Sequence, residues 1–156
     1  MREILFRGKR DNKDEWVCGY LGVFKDITQI FVPFTEEEEK ENEGHFFSAI
    51  GGLWHTVIPE TVGQYTGLTD RNGEKIFEGD IVKEEYEVFV SARTKEKRIR
   101  IGYVEYSSSP LCCGYYAYFW NDKEKWRGNF GIHHCCEVIG NIHDNPELLK
   151  GGETNA

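Results

Sequence analysis

The sequence predicts a mainly β protein, and three observations carry that expectation. Seventeen Gly and an aromatic content of 14% in 156 residues suit many turns between short strands better than long helices. Runs rich in β-branched and aromatic residues, such as Ile27–Phe34, alternate with Gly-, Asn- and Asp-containing turn signals. A hydrophobic content of 39%, with 4 Trp, 8 Tyr and 10 Phe, supplies a real core and excludes a wholly disordered chain. The length fits one domain or two small packed subdomains.

Taken in order, the apolar run Ile4–Phe6 leads into a polar turn from Gly8 to Glu15. Trp16–Phe24 is apolar at both alternating positions, which predicts a strand buried on both faces or lying between sheets. Ile27–Phe34 reads as another strand. The run from Glu36 to Glu43 is expected to be a solvated loop, because neighbouring carboxylates repel and none is buried cheaply. His45–Ile50 and Trp54–Ile58 flank Gly51-Gly52 as a hairpin that Pro59 ends. Thr61–Leu68 reads equally as a helical turn or irregular chain. Thr69–Gly73 and Phe77–Asp80 are turns, with Asp or Asn bonding locally and Gly accepting positive φ. Ile81–Val90 and Ile99–Tyr106 form a long hairpin with the basic segment Ser91–Arg98 at its tip. Tyr115–Trp120 and Phe130–Ile139 form a second pair across the turn Asn121–Lys125. Asp144 or Asn145 caps a short helix that starts at Pro146 and ends near Leu149. From Gly151 onward the chain is expected to fray.

Charge narrows the function classes. Nineteen Lys and Arg against 27 Asp and Glu give a net charge of −8. Glu36, Glu37, Glu38, Glu39, Glu41 and Glu43 against Lys40 account for −5 of it. An acidic total argues against non-specific duplex binding but leaves room for the local basic patch Arg93, Lys95, Lys97, Arg98 and Arg100. No stretch approaches the ~20 apolar residues of a membrane span. MREILFRGKR lacks a signal-peptide core. The expectation is a cytoplasmic protein, without a membrane partner. Its five cysteines, Cys18, Cys112, Cys113, Cys135 and Cys136, are then reduced.

Three stretches together carry a resemblance: REILFRGKRD from Arg2 with EWVCGYL from Glu15, IPETVGQYTGLTDRNGEKIFEGDIV from Ile58, and EVIGNIHDNPELL from Glu137. In this order and spacing the chain resembles the YopX family, encoded by phages and prophages of Gram-positive bacteria. The resemblance covers nearly the whole chain, with least support across Glu36–Gly44 and Ser91–Tyr118. It implies an SH3-like, partly open barrel. The expected organisation is an N-terminal β subdomain (1–64), the barrel (65–143), and a short helix with a frayed tail (144–156). The family supplies no established activity or catalytic residues, so none is carried over.

Several residue groups point to chemistry, each with a plainer explanation beside it. Cys112, Cys113, His133, His134, Cys135 and Cys136 are zinc-type ligands. Strand alternation, however, splits neighbours between faces and leaves three ligands on each. Buried thiols in an aromatic-rich sheet explain the same residues. Cys135 or Cys136 with His133, His134 or His55 would make a nucleophilic pair, but no Gly-rich nucleophile turn surrounds either thiol. Arg93, Lys95, Lys97, Arg98 and Arg100, near Tyr115, Tyr116, Tyr118, Phe119, Trp120 and Trp126, suit a single-stranded nucleic acid, with bases stacked on rings. The same aromatics would also fill a barrel. The carboxylate pairs Glu78/Asp80 and Asp144/Glu147 are explained by turns and a helix start. The acidic run could receive a cation or a basic partner. The expectation is a non-enzymatic protein-interaction or self-assembling module with no cofactor. The alternatives are nucleic-acid binding through Arg93–Arg100 and a zinc or thiol site around Cys112–Cys136.

Overall fold

A computed structural model describes residues 3–43, 50–109, 112–119, 127–129 and 136–149. The protein is mainly β, built of antiparallel sheets. It divides into two compact units, Met1–Tyr65 and Thr66–Ala156.

In the first unit, β1 (Phe6–Lys9), β2 (Trp16–Phe24), β3 (Ile27–Pro33) and β4 (Gly52–Thr56) lie in the order β4-β3-β2-β1. The start of β5 (Gly63–Thr69) joins beyond β1, where Phe6 faces Gln64 and Arg7 faces Gly63. Leu5, Ile30, Val57 and Tyr65 are the buried apolar side chains. Gly8 lies tightly against them, for a Cβ there would stand 3.0 Å from Val57 and 3.1 Å from Ile30. Only one face of the sheet is covered, so β2 is not buried on both faces: Tyr20 and Phe24, which share a face, are exposed.

Two other expectations for this unit are corrected. Glu36–Glu41 form a short helix, α1, rather than a loop. The cause is a capping box: Thr35 Oγ1 accepts from the Glu38 backbone N–H, while the Glu38 carboxylate accepts from the Thr35 N–H at 2.8 Å. Four glutamates in the first turn also favour the positive end of the helix dipole. β4 pairs with β3 along one edge, while residues 45–49, the expected hairpin partner, lie outside the described residues. Finally, most of Thr61–Leu68 is strand β5, preceded by a 3-10 turn at Pro59–Thr61.

The second unit contains β6 (Lys75–Phe77), beside β5, and a five-stranded sheet. That sheet comprises β7 (Asp80–Phe89), β8 (Lys95–Ser109), β9 (Cys112–Phe119), β10 (Arg127–Asn129) and β11 (Cys136–Asn141), ordered β10-β9-β8-β7-β11. The sheet is open, with β10 and β11 at its two ends. Ile76, Val82, Val104, Ala117, Phe119 and Cys136 form its buried cluster, with Leu68, Tyr115 and Val138 packed against it.

The fifteen-residue β8 changes partner midway. It pairs with β7 over Lys95–Tyr103 and with β9 over Gly102–Ser109. Gly102 marks the change, and a Cβ there would come within 2.2 Å of the Tyr118 carbonyl oxygen. A side chain is therefore excluded at this corner. The hairpin tip is shorter than expected, since Lys95 to Arg100 already belong to β8. Of the second expected pair, residues 130–135 lie outside the described residues; β9 lies between β8 and β10, while β11, which holds 136–139, pairs with β7.

Both family-motif turns act as fasteners here. The Asp70 carboxylate accepts from the N–H groups of Asn72 (2.7 Å), Glu74 (3.0 Å) and Val138 (3.0 Å), tying the turn to β11. Buried Asp80 accepts from the Phe77 N–H at 2.7 Å, and the Gly79 N–H donates to the Val104 carbonyl. The chain's last described element is a 3-10 turn at Pro146–Leu149. Among the described residues, no helix is long and apolar enough to cross a membrane.

Candidate functional site

Alternation and register build one distinctive surface in the first unit. Tyr20 faces Phe31 and Phe31 faces Trp54, so one cross-strand row carries three aromatic rings. Gly22, Gln29 and Thr56 form the next row, and Phe24 pairs with Ile27 beyond it. Trp54 lies over Gly22, where a Cβ would meet its ring at 2.6 Å. Its ring packs edge-on to Phe24 (5.9 Å between centroids) and at a tilt to Phe31 (5.2 Å). Tyr20, Phe24, Ile27 and Trp54 are 52%, 57%, 52% and 42% exposed. From Tyr20 to Phe24, Ile27 to Pro33 and Gly52 to Thr56, this face carries no charged side chain. Polar Gln29 is held by Thr56, its amide donating to Thr56 Oγ1.

The basic residues of the second unit do not share one face. Strand alternation puts Lys95 and Lys97 on one side of β8 and Arg98 and Arg100 on the other. Lys95 donates to Glu87 at 2.9 Å, and Arg98 lies 3.8 Å from Glu96. Arg93 stands in the turn before β8. Arg100 is sunk into the sheet, its guanidinium bound to Glu84 through Nε (2.6 Å) and a terminal nitrogen (2.5 Å). It also lies 4.0 Å from the Phe119 ring centroid and 4.9 Å from that of Tyr86. Of the expected base-stacking aromatics, Tyr116 and Phe119 are buried. Tyr118 stacks on Tyr103, and Tyr115 meets Tyr106 edge-on. They flank Gly102–Ser109, the half of β8 away from Lys95–Arg98. Trp120 and Trp126 lie outside the described residues.

His133, His134 and Cys135 of the expected metal or thiol site lie outside the described residues. Cys136 is in the core of the second unit, and Cys113 is exposed with its sulfur 3.0 Å from the Tyr106 hydroxyl. Cys112 begins β9. Among the described residues, no three His, Cys, Asp or Glu side chains are grouped to hold a metal.

His55 sits in β4 of the first unit. Desolvation pushes its pKa below the ordinary imidazole range; Arg10 and Lys13 add to the effect, and Glu15 opposes it. Glu78 accepts from the Tyr106 N–H, and Asp144 accepts from the Asn141 side chain, both consistent with local structural work.

Sequence reasoning missed the aromatic face because it read Trp16–Phe24 as buried. The available signal was the three-ring row, visible only once β3 and β4 are placed beside β2.

A family model described as YopX protein matches residues 5–150. No curated protein matches the chain. Among solved structures, the protein EF1440 of Enterococcus faecalis is 22% identical, over 96% of this chain and 99% of that one, with a TM-score of 0.46. The family match runs through the Asp70 and Asp80 turns and all of β11, the segments that fasten the second unit together. The chain therefore belongs to the YopX family.

Proposed function

We propose that this chain is a non-enzymatic protein-interaction module, encoded by a phage or prophage, whose first unit binds a protein partner through the aromatic face of β2, β3 and β4. One observation carries the reading: Tyr20, Phe24, Ile27 and Trp54 stand exposed on a face without formal charge. In a chain that is 29% charged, leaving so many rings in water costs solvation free energy that a partner would recover. Trp and Tyr are also the side chains that most often dominate binding energy. The second unit is read as a partly open SH3-like barrel, supported by the change of partner along β8 at Gly102. On this reading it is a scaffold and carries no catalytic residue.

The test compares affinity capture by wild type and by Phe24→Ser/Trp54→Ala, with a melting curve for each. A defined protein captured by wild type and lost from the variant, at equal or higher melting temperature, is the expected result. Identical captured sets would overturn the proposal.

A second reading, single-stranded nucleic-acid binding, is favoured by the exposure of Arg93, Lys95, Lys97 and Arg98. It requires oligonucleotide affinity that falls steeply with salt. The zinc or thiol alternative around Cys112–Cys136 is decided by native mass spectrometry, where one added zinc mass per subunit would support it.

A further inference from the structure

The ends of β7 and β8 form an arm. Every described side chain from Glu87 to Ile99 is exposed. Three of them are large and apolar: Phe89, Val90 and Ile99, at 72%, 46% and 51%. A two-stranded ribbon with apolar residues in water on both faces is marginal alone and gains stability when something covers it. Lys95 and Arg98 already face Glu87 and Glu96. Arg93 has no carboxylate within ion-pair distance among the described residues, and Lys97 shares with Lys95 the one carboxylate of Glu87, so the arm ends in apolar surface with two more cations than carboxylates.

The complementary surface is on the first unit of the same sequence. In α1 and just after it, Glu36, Glu37, Glu39, Glu41 and Glu43 are exposed and make no ion pair among the described residues. Apolar surface adjoins them: the Phe34 N–H donates to the Gly51 carbonyl at 2.9 Å, placing Ile50, 44% exposed, beside the start of α1. Apolar surface with excess cations at one place, and apolar surface with unpaired carboxylates at another, is the charge complementarity of a head-to-tail contact.

We propose that the β7–β8 arm of one copy docks on α1 and Ile50 of a second copy of this chain. Phe89, on the same face of the arm as Lys97, covers Ile50, while Arg93 and Lys97 meet Glu37 and Glu41, which share one face of α1 at i and i+4. The contact is heterologous, so each copy offers one arm and one helix, and copies join in a row or a ring. A second copy suits this arm better than a polyanion. A polyanion would meet the cations of the arm but leave the carboxylates of α1 without a partner. A second copy satisfies the charges of both surfaces at once. The contact uses none of the aromatic face and does not depend on its assignment.

Sedimentation velocity of the full chain tests it, with Arg93→Ser/Lys97→Ser as the arm variant and Glu37→Gln/Glu41→Gln as the helix variant. All four positions are exposed, and equal melting temperatures confirm that both variants fold. Wild type is expected to associate at low salt and to weaken at least tenfold at high salt. Each variant alone is expected to remain monomeric over the range in which wild type associates. A one-to-one mixture pairs the intact helix of the first with the intact arm of the second and stops at a dimer. A monomeric wild type, a variant that associates like wild type, or a mixture that stays monomeric would each overturn the proposal. So would an arm variant whose only defect is lost oligonucleotide binding. Phe24→Ser/Trp54→Ala is expected to associate normally; its failure would move the copy-to-copy contact to the aromatic face and overturn the arm.

Discussion

In the first unit, the row Tyr20–Phe31–Trp54 stands on a face open to water, whereas in the second unit the rows of Val82, Val104, Ala117 and Phe119 are buried. Both sheets are antiparallel, and both strand sets are rich in aromatic and β-branched residues. They differ in what holds them. The first unit relies on apolar contacts around Ile30 and Val57 and on buried Thr61, whose hydroxyl accepts from the Lys9 N–H and donates to the Ile58 carbonyl. The second adds polar fasteners: Asp70 bonded to three backbone N–H groups, Asp80 at the Phe77 turn, and Arg100 paired with Glu84. The comparison teaches that similar composition serves two ends. One sheet spends its aromatics on a surface, and the other locks its core with buried charge.

The largest expected effect comes from breaking a lock. Glu84→Ala leaves Arg100 buried, its side chain only 11% exposed, without its carboxylate, and should cost about 3–5 kcal/mol in urea unfolding. The paired replacement Glu84→Leu/Arg100→Met should recover most of that loss; if it does not, the pair is more than a compensated burial. Next in size is Ile30→Ala, which should cost about 2–5 kcal/mol by opening a cavity beside Gly8 and Val57. Hydrogen exchange should show the loss in β1–β4 while β7, β8 and β11 keep their protection. Equal loosening of all strands would refute the division of labour between the units.

Asp70→Asn ranks third, at about 1.5–3 kcal/mol for weakened bonds from three N–H groups to a charged acceptor. Burial raises this carboxyl's pKa, but the donations from Val138, Glu74 and Asn72 outweigh it and hold it below its ordinary 3.8. The stabilisation from Asp70 is thus complete above the unfolded value and is lost as pH falls through the lower folded one. The variant should flatten stability against pH in that acidic window, as read from melting temperatures. The smallest effect belongs to His55. Its folded pKa is depressed, so the unfolded chain takes up the proton first and stability declines as pH falls below the ordinary 6.5. His55→Gln should remove a shallow slope there, and an unchanged slope would assign it to other groups.

Much of the fold was legible because its signals are local. Thr69–Gly73 and Phe77–Asp80 read as turns since Asp and Gly carry that geometry in their own chemistry, and the Pro146 turn followed from its Pro and Asn. The helix at Glu36–Glu41 is less legible: Thr35 and Glu38 spell out a capping box, whose two hydrogen bonds outweigh the mutual repulsion of the carboxylates that favours a loop. The candidate surfaces were less legible. The basic cluster Arg93–Arg100 looked continuous in one dimension, yet the pleat divides it between two faces and Glu84 claims Arg100.

By itself the sequence determined the β class, the family, the turns and the charge poles, because composition, short motifs and formal charge need no knowledge of neighbours. Only the tertiary structure decided which strands pair, that β11 lies beside β7 and β9 beside β8, that one face of β2 is left open, and which charges are already spent on partners. The physical reason is that strand pairing is non-local. A residue in a strand has its immediate face set by alternation, but whether that face meets core, water or a counter-charge depends on segments tens of residues away.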